Sequence, residues 1–243
     1  MSTVHTHKRF WLGFDRHTPE HDPLVDEIVT DFLADFKPHI RVAGGDWQTV
    51  DQASHFNNES KTDLVDEFQM NQDALKRFGI THYLEGNHEE RLQRIGGALD
   101  PRIRSCVNLK KNLDLVKLGI RLLPYHPRKG ILKIGELKIL HGFWANEYMA
   151  KKTAGVYGTC VFGHGHRFQT FQSKQAFHDR VGFAIGMMGK VSPSWIEHRA
   201  PMGWAQGFAF GYLHRGGLFD LYPVRIVEGR VTINGKVYGT YRR

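Results

Sequence analysis

Short apolar runs alternate with amphipathic stretches through the first third of the chain, and each apolar run stops at polar residues suited to chemistry. Residues 9–14 are aromatic-rich and weakly alternating, which predicts a buried strand ending at Asp15. Asp22-Pro23 then supplies a cap and a first-turn proline, and Leu24, Val25, Ile28, Val29, Phe32, Leu33 and Phe36 recur at helical spacing until Pro38. Residues 39–43 predict a second strand leading into Gly44-Gly45-Asp46. After a polar, irregular stretch at 47–61, Leu64, Phe68, Asn71, Leu75 and Phe78 mark a second helix closed by Gly79. Residues 81–84 predict a third strand, which halts at Gly86 and turns into the charged, helix-like run Asn87-His88-Glu89-Glu90-Arg91. This alternation predicts an α/β layered fold with parallel pairing in its first half, where ligands gather beyond the carboxyl ends of the strands.

The second half has a different texture. An amphipathic segment at 112–118 ends at Gly119, and 120–123 predicts a further strand. Residues 131–134 and 137–140, divided by Gly135-Glu136, predict a hairpin with His141 at its exit. A polar helical segment at 146–154 leads to a small buried strand at 160–162 and then to Gly163-His164-Gly165-His166. Beyond it, 181–185, 208–213 and 218–227 predict strands, and Glu228-Gly229 and Asn234-Gly235 are hairpin turns. This tail is expected to be antiparallel and to complete a second sheet, with Trp195, Trp204, Phe208, Phe210 and Tyr212 packing it.

With 243 residues, 41% of them hydrophobic, the chain can bury one substantial core, and a single domain over 1–243 is expected. Its site-bearing core would span about 10–170 and its antiparallel portion about 175–243. No run approaches the roughly eighteen uncharged apolar residues of a membrane span, and residues 1–9 lack the apolar stretch of a signal peptide. The expected location is cytoplasmic, with no membrane partner. Cys106 and Cys160 are too few and too far apart for a disulfide framework or a thiolate metal site. The net charge of +8 favours an anionic partner, and the excess collects in Arg102, Arg104, Lys110, Lys111, Lys117, Arg121, Arg128, Lys129, Lys133 and Lys138. Such a stretch suits a polyphosphate or a nucleic acid backbone, or forms a solvated basic face.

Five groups follow the strand-like runs: Asp15-Arg16-His17, Gly45-Asp46, Gly86-Asn87-His88, His141 and Gly163-His164-Gly165-His166. Two residues apart in extended backbone, Asp15 and His17 would leave one face together, and His164 and His166 share that spacing. Asp46 has two oxygens with which to bridge two cations. About seven nitrogen and oxygen ligands without sulfur exceed one tetrahedral zinc and suit two ions about 3.5 to 4 Å apart. Manganese, iron, zinc, nickel or cobalt fit such a mixture better than calcium or magnesium.

In this order the five motifs resemble the calcineurin-like metallophosphoesterase superfamily, whose pattern runs Asp-x-His, Gly-Asp, Gly-Asn-His-(Asp/Glu), His and Gly-His-x-His. The resemblance covers roughly residues 10–170 and implies a four-layer α-β-β-α sandwich of two mixed β-sheets flanked by helices. It implies two divalent transition-metal ions, manganese placed first. One would be held by Asp15, His17, Asp46 and His166, the other by Asp46, Asn87, His141 and His164. It further implies in-line attack on phosphorus by a metal-bridging hydroxide, with His88 stabilising the phosphoryl oxygens or protonating the leaving alkoxide. The expected activity is a phosphodiesterase or nuclease acting on DNA or nucleotides. The alternatives are a phosphomonoesterase and a catalytically silent scaffold.

The chain departs from the protein serine/threonine phosphatases of that superfamily: Trp47-Gln48-Thr49-Val50-Asp51 follows Asp46, and Glu85 precedes Gly86. A phosphoprotein substrate is therefore disfavoured, and Asp51 becomes the candidate to orient His88. The run Gly86 to Arg91 and the segment around Trp204 resemble small phage and bacterial members described as DNA-repair exonuclease-like. Arg91, one turn beyond His88, is a candidate contact to substrate phosphate, or a partner of Glu89.

Overall fold

A computed structural model describes residues 7–53, 62–174, 180–193 and 202–240. The chain opens with β1 (Lys8–Gly13), α1 (Pro23–Phe36), β2 (Ile40–Ala43), α2 (Leu64–Phe78) and β3 (His82–Leu84). Each helix is bounded by local chemistry. Asp22 accepts a hydrogen bond from the Leu24 amide ahead of Pro23, and left-handed Lys37 returns its amide to the Leu33 carbonyl. At α2, Asp63 caps the start and Gly79, with φ of 59°, ends it.

Next come α3 (Asn87–Ala98), a single turn α4 (Leu109–Asn112) and β4 (Arg121–Leu123). The amphipathic segment expected at 112–118 is not a continuous helix, because Asp114 adopts φ of 51° and breaks it after one turn. Its apolar residues still go inside, Leu113 and Leu115 being fully buried. The hairpin β5 (Leu132–Ile134) and β6 (Leu137–Leu140) then precedes α5 (Met149–Tyr157), β7 (Cys160–Phe162), β8 (Gln169–Gln172) and β9 (Val181–Ala184). The polar edge strand β8 had no apolar pattern to announce it. The chain ends with β10 (Gln206–Leu213), β11 (Phe219–Ile226) and a ribbon of β12 (Arg230–Ile233) and β13 (Lys236–Gly239).

The first sheet runs β11-β10-β1-β2-β3-β4, with β1 to β4 mutually parallel and β10 antiparallel to β1. The second runs β5-β6-β7-β9-β8, with β6, β7 and β9 parallel. Here the tail departs from expectation. Only β9 joins the second sheet, parallel to β7 and antiparallel to β8; β10 and β11 are antiparallel as expected but extend the first sheet. Strand β10 is buried on both faces from Gln206 to Gly211, so it requires a central position, which it finds between β1 and β11.

Side-chain alternation sorts the core into three layers. Phe10, Leu12, Val42, Leu137, Ile139 and Val161 fill the space between the sheets. Trp11, Phe32, Phe78 and Phe208 fill the space between the first sheet and its helices, and Cys160, Phe162, Met149 and Ala150 join α5 to the second sheet. The result is the four-layer α/β sandwich of two mixed sheets. Phe208, Phe210 and Tyr212 accordingly pack toward α1 rather than on the second sheet. Trp195 lies outside the described residues. Among the described residues no helix is long and apolar enough to cross a membrane.

Phe32 links the layers most directly, its ring lying 5.0 Å from Phe208, 5.1 Å from Phe210 and 5.8 Å from Tyr238 of the ribbon. Phe32→Ala is expected to lower the unfolding free energy by about 3–5 kcal/mol. Urea unfolding followed by circular dichroism measures it.

Candidate metal centre

Register brings the motifs to one end of both sheets. Gly13 pairs with Ala43 and Ala43 with Tyr83, so Asp15, Asp46 and Asn87 leave their strands side by side. In the second sheet Leu140 pairs with Phe162, which sets His141 beside Gly163-His164. The two ends are tied across the sandwich by the His164 amide, which donates to Asp15 Oδ2 at 2.8 Å. All seven sequence-derived ligand candidates meet there.

The donor atoms of Asp15, His17 and His166 lie within 4.8 Å of one another, as do those of Asp46, His141 and His164, and those of His17, Asp46 and His88. Asn87 Oδ1 stands 3.2 Å from His141 Nε2, which is itself 3.3 Å from Asp46 Oδ2. His17 Nε2 faces His166 Nε2 at 3.1 Å, and His166 Nε2 is 3.4 Å from Asp15 Oδ1, a buried oxygen with no hydrogen-bond partner among the described residues. Imidazole lone pairs and carboxylate oxygens thus converge on shared space. His141 Nδ1–H donates to the Gly44 carbonyl, which leaves Nε2 of the neutral ring free as a ligand. This donor set fits divalent cations.

The backbone pays for that convergence in strain. Asp15, His17, Asp46, His164 and His166 all have φ between 48° and 64°, so the Asp-x-His and His-x-His pairs aim their side chains from left-handed loops and not from extended strands. Two glycines make the crowding feasible: a Cβ on Gly86 would lie 2.1 Å from Asp46 Oδ1, and one on Gly163 would lie 2.3 Å from Asp15 Oδ2.

Protonation is divided among the donors. Burial penalises charge on Asp15 and Asp46, yet the neighbouring imidazoles, chiefly His166 for the first and His141 for the second, hold both below the usual carboxylate value. His141 rises to about 9: burial opposes its charge, but Asp46 outweighs it. Burial pushes His17 down to about 3 and His164 to about 4, aided by repulsion from His88 and His141 respectively.

His88 stands beside this group with Nε2 3.7 Å from Asp46 Oδ2. Its orienting partner is the Thr49 carbonyl, which accepts from Nδ1–H at 2.6 Å, and not Asp51, which lies farther along in a short 3-10 turn. The Thr49 carbonyl is aimed by a strained turn: Val50 is left-handed, with φ of 49°, and its amide donates to buried Glu67 of α2 at 2.9 Å. Glu89 is likewise occupied. Its carboxylate accepts from the amides of Asp46, Trp47, Gln48 and Gly86 and from the Tyr83 hydroxyl, and among the described residues no ion pair joins it to Arg91. Arg91 is half-buried on α3.

Three further features escaped sequence reasoning. Buried Arg16, between two ligand candidates, pairs with Asp26 at 2.7 Å, and Arg77 joins the same carboxylate at 2.5 Å. A charged residue inside Asp15-Arg16-His17 was the available signal. Trp204 touches His166 edge-on with centroids 4.5 Å apart, so it borders the group instead of packing the second sheet. Tyr125 packs 5.8 Å from His141 on the other flank.

The shifts predict a stability profile for chelator-treated protein. Raised groups bind more protons folded than unfolded, so their contribution is lost as pH rises through the folded value. Burial raises Glu67 to about 8 and Glu85 to about 7, both from 4.5, and His141 rises from 6.5 to about 9. All three windows overlap between pH 6.5 and about 7, Glu67 and His141 continue to about 8 and His141 alone to about 9, so stability falls across pH 6.5–9, each fully differential proton tilting the curve by about 1.4 kcal/mol per pH unit. Glu67→Gln should flatten the curve between about pH 4.5 and 8, as read by urea unfolding across that range.

No protein-family model and no curated protein matches the sequence. Among solved structures, vacuolar protein sorting 29 from Cryptosporidium parvum is 14% identical, with 96% of each chain covered at a TM-score of 0.51. A predicted phosphoesterase from Streptococcus pneumoniae is 11% identical over 89% of this chain and 98% of its own, at a TM-score of 0.36. An archaeal phosphodiesterase is 11% identical over 88% and 98%, at 0.45. At such identities the likeness is one of fold: the chain shares the overall fold of vacuolar protein sorting 29.

Proposed function

We propose that this chain is a two-metal phosphoesterase that hydrolyses phosphodiesters of nucleic acid or nucleotides in preference to monoesters. The observation that carries the reading is the meeting of two carboxylates, four histidines and one amide at the strand ends, with His88 beside them. Asp15, His17, Asp46 and His166 would hold one ion, and Asp46, Asn87, His141 and His164 the other. Bound divalent cations, manganese foremost, supply positive charge against the phosphate oxygens and lower the pKa of shared water.

The remaining work falls to the chain itself. Asp46 belongs to two of the close donor groups, one with His17 and His88 and one with His141 and His164, which suits a bridging carboxylate. The Thr49 carbonyl holds Nδ1–H of His88 and leaves Nε2 toward the site, where its N–H can bond a phosphoryl oxygen or pass a proton to the leaving alkoxide. The Gly44 carbonyl keeps the proton of His141 on Nδ1 and directs Nε2 at the metal position. Preference for diesters of nucleic acid follows from the net charge of +8, which attracts a polyanion.

The test compares bis-p-nitrophenyl phosphate with the monoester in added manganese. The expected outcome is faster diester cleavage. His88→Ala should lose about 10²–10⁴ in kcat with manganese still bound, whereas Asp46→Asn should lose both activity and metal stoichiometry by elemental analysis. Faster monoester cleavage would make the protein a phosphatase. Stoichiometric manganese with neither ester cleaved would favour a scaffold.

A further inference from the structure

A cleft of about 750 Å³, separate from the candidate metal centre, is lined by residues of β4, β5, β6 and α5 and of the loop between β4 and β5. Arg121, Arg128, Lys133 and Lys138 line it, with Ile131 and Val156 among its apolar surfaces and no carboxylate in its wall. The four cations come from separate places: the start of β4, the loop before β5, β5 itself and β6. Among the described residues no ion pair neutralises any of them; Lys138 donates to the Tyr157 carbonyl, which carries no formal charge. Four like charges sharing one concave surface repel one another, and an anion there relieves all four contacts at once.

The cleft also stands in a defined relation to the metal centre. Lys138 pairs with Cys160 at the entrance of β6 and β7, and three residues later His141 leaves the strand, a separation of about 10 Å at ~3.3 Å per residue. The intervening path follows the loop after β4: Tyr125 packs on the His141 ring and donates its hydroxyl hydrogen to the Gly142 carbonyl, and Pro127 and Arg128, a few residues on, line the cleft.

We propose that this cleft is a second binding site, for a chain of phosphates, and that it holds the backbone of a nucleic acid strand while another phosphate of that strand occupies the metal centre. The nucleic acid source rests on the phosphodiesterase reading; the phosphate-chain site does not. With a rise of about 3.4 Å per phosphate of one strand along a duplex axis, the held segment would lie a few nucleotides from the scissile bond.

The test uses the full chain with His88→Ala, in chelator, so that binding is read without cleavage. A fluorescent single-stranded 12-mer DNA is titrated by anisotropy, with inorganic polyphosphate and polyglutamate of matched charge as competitors. Arg128→Glu/Lys133→Glu, two exposed positions outside the catalytic group, is expected to weaken DNA binding at least tenfold. The salt dependence of log K should drop by about 0.7 per lost phosphate contact. Arg128→Gln/Lys133→Gln, which avoids charge reversal, should give a smaller loss in the same direction. With His88 restored, either double variant should lower kcat/KM on the oligonucleotide and leave bis-p-nitrophenyl phosphate hydrolysis unchanged, since that ester is too short to reach the cleft. Polyphosphate should displace DNA, and polyglutamate should not.

Unchanged DNA and polyphosphate binding in both folded double variants would overturn the proposal, as would equal displacement by polyglutamate. Loss of polyphosphate binding with DNA binding intact would overturn the nucleic acid assignment. An intact cleft effect on binding, in a protein that cleaves no diester, would support the site while the phosphodiesterase reading fails.

Discussion

The site depends on one buried carboxylate that takes no part in holding a cation. Glu89, fully buried, accepts hydrogen bonds from four backbone amides and from the Tyr83 hydroxyl, at distances between 2.7 and 3.2 Å. Three of the amides belong to consecutive residues Asp46, Trp47 and Gln48, and the fourth to Gly86. One side chain therefore fastens the loop after β2 to the turn before α3. Burial raises its pKa and the Asp46 charge adds to that, while the Tyr83 hydroxyl and the amides favour the ionised form. A carboxylate so enclosed is tolerable only because its lone pairs are occupied; removing the donors would leave the desolvation uncompensated.

With those loops fastened, the strained conformations become sustainable. A left-handed residue other than glycine costs on the order of 1–3 kcal/mol and persists where its surroundings over-determine it. Asp46 is fixed at its amide by Glu89, and its Oδ1 accepts from the His88 amide at 2.9 Å. Asp15 and His17 are fixed by their amides on the carbonyls of Gly45 and Asp46, each at 3.0 Å. Arg16, turned the other way, is buried against Asp26 and anchors the loop to α1 and, through Arg77, to α2. The helices thus do more than cover the first sheet: they brace the loops from behind, and Glu67 does the same for the carbonyl that orients His88.

How far the sequence revealed this follows from which forces are local. Helix α1 was legible because its cap, its proline and its apolar spacing all lie within the segment, and the early strands because each ends at a glycine or a site residue. Strand β8 was not, since its burial is partial and its residues polar. The destination of β10 depended on which sheet offered a central vacancy, a tertiary fact. Among site residues, the seven ligand candidates and His88 were legible as chemistry, but their backbone geometry was not: the alternation rule suggested extended pairs, whereas the loops are left-handed. The orienting group of His88 was inaccessible because a main-chain carbonyl leaves no letter in the sequence.

The charges at the centre supply a reason to think of cations rather than of a proton-bonded network. The two carboxylates draw His141 toward its charged form, while burial and mutual repulsion drive His17 and His164 toward the neutral form in the same small volume. A proton on His141 meets the first demand, and neutral His17 and His164 meet the second. A proton placed between His17 and His166 serves a single pair of nitrogens and leaves Asp15 Oδ1 without a donor. A divalent ion would accept lone pairs from neutral imidazoles and from carboxylates together, and so would engage the nitrogens and oxygen that a single proton leaves without a partner. The same ion would return His141 to its neutral form with Nε2 as ligand, the tautomer that the Gly44 carbonyl already selects. The Gly44 and Thr49 carbonyls accept from Nδ1–H of His141 and of His88, and so turn Nε2 of both rings toward the space such an ion would fill.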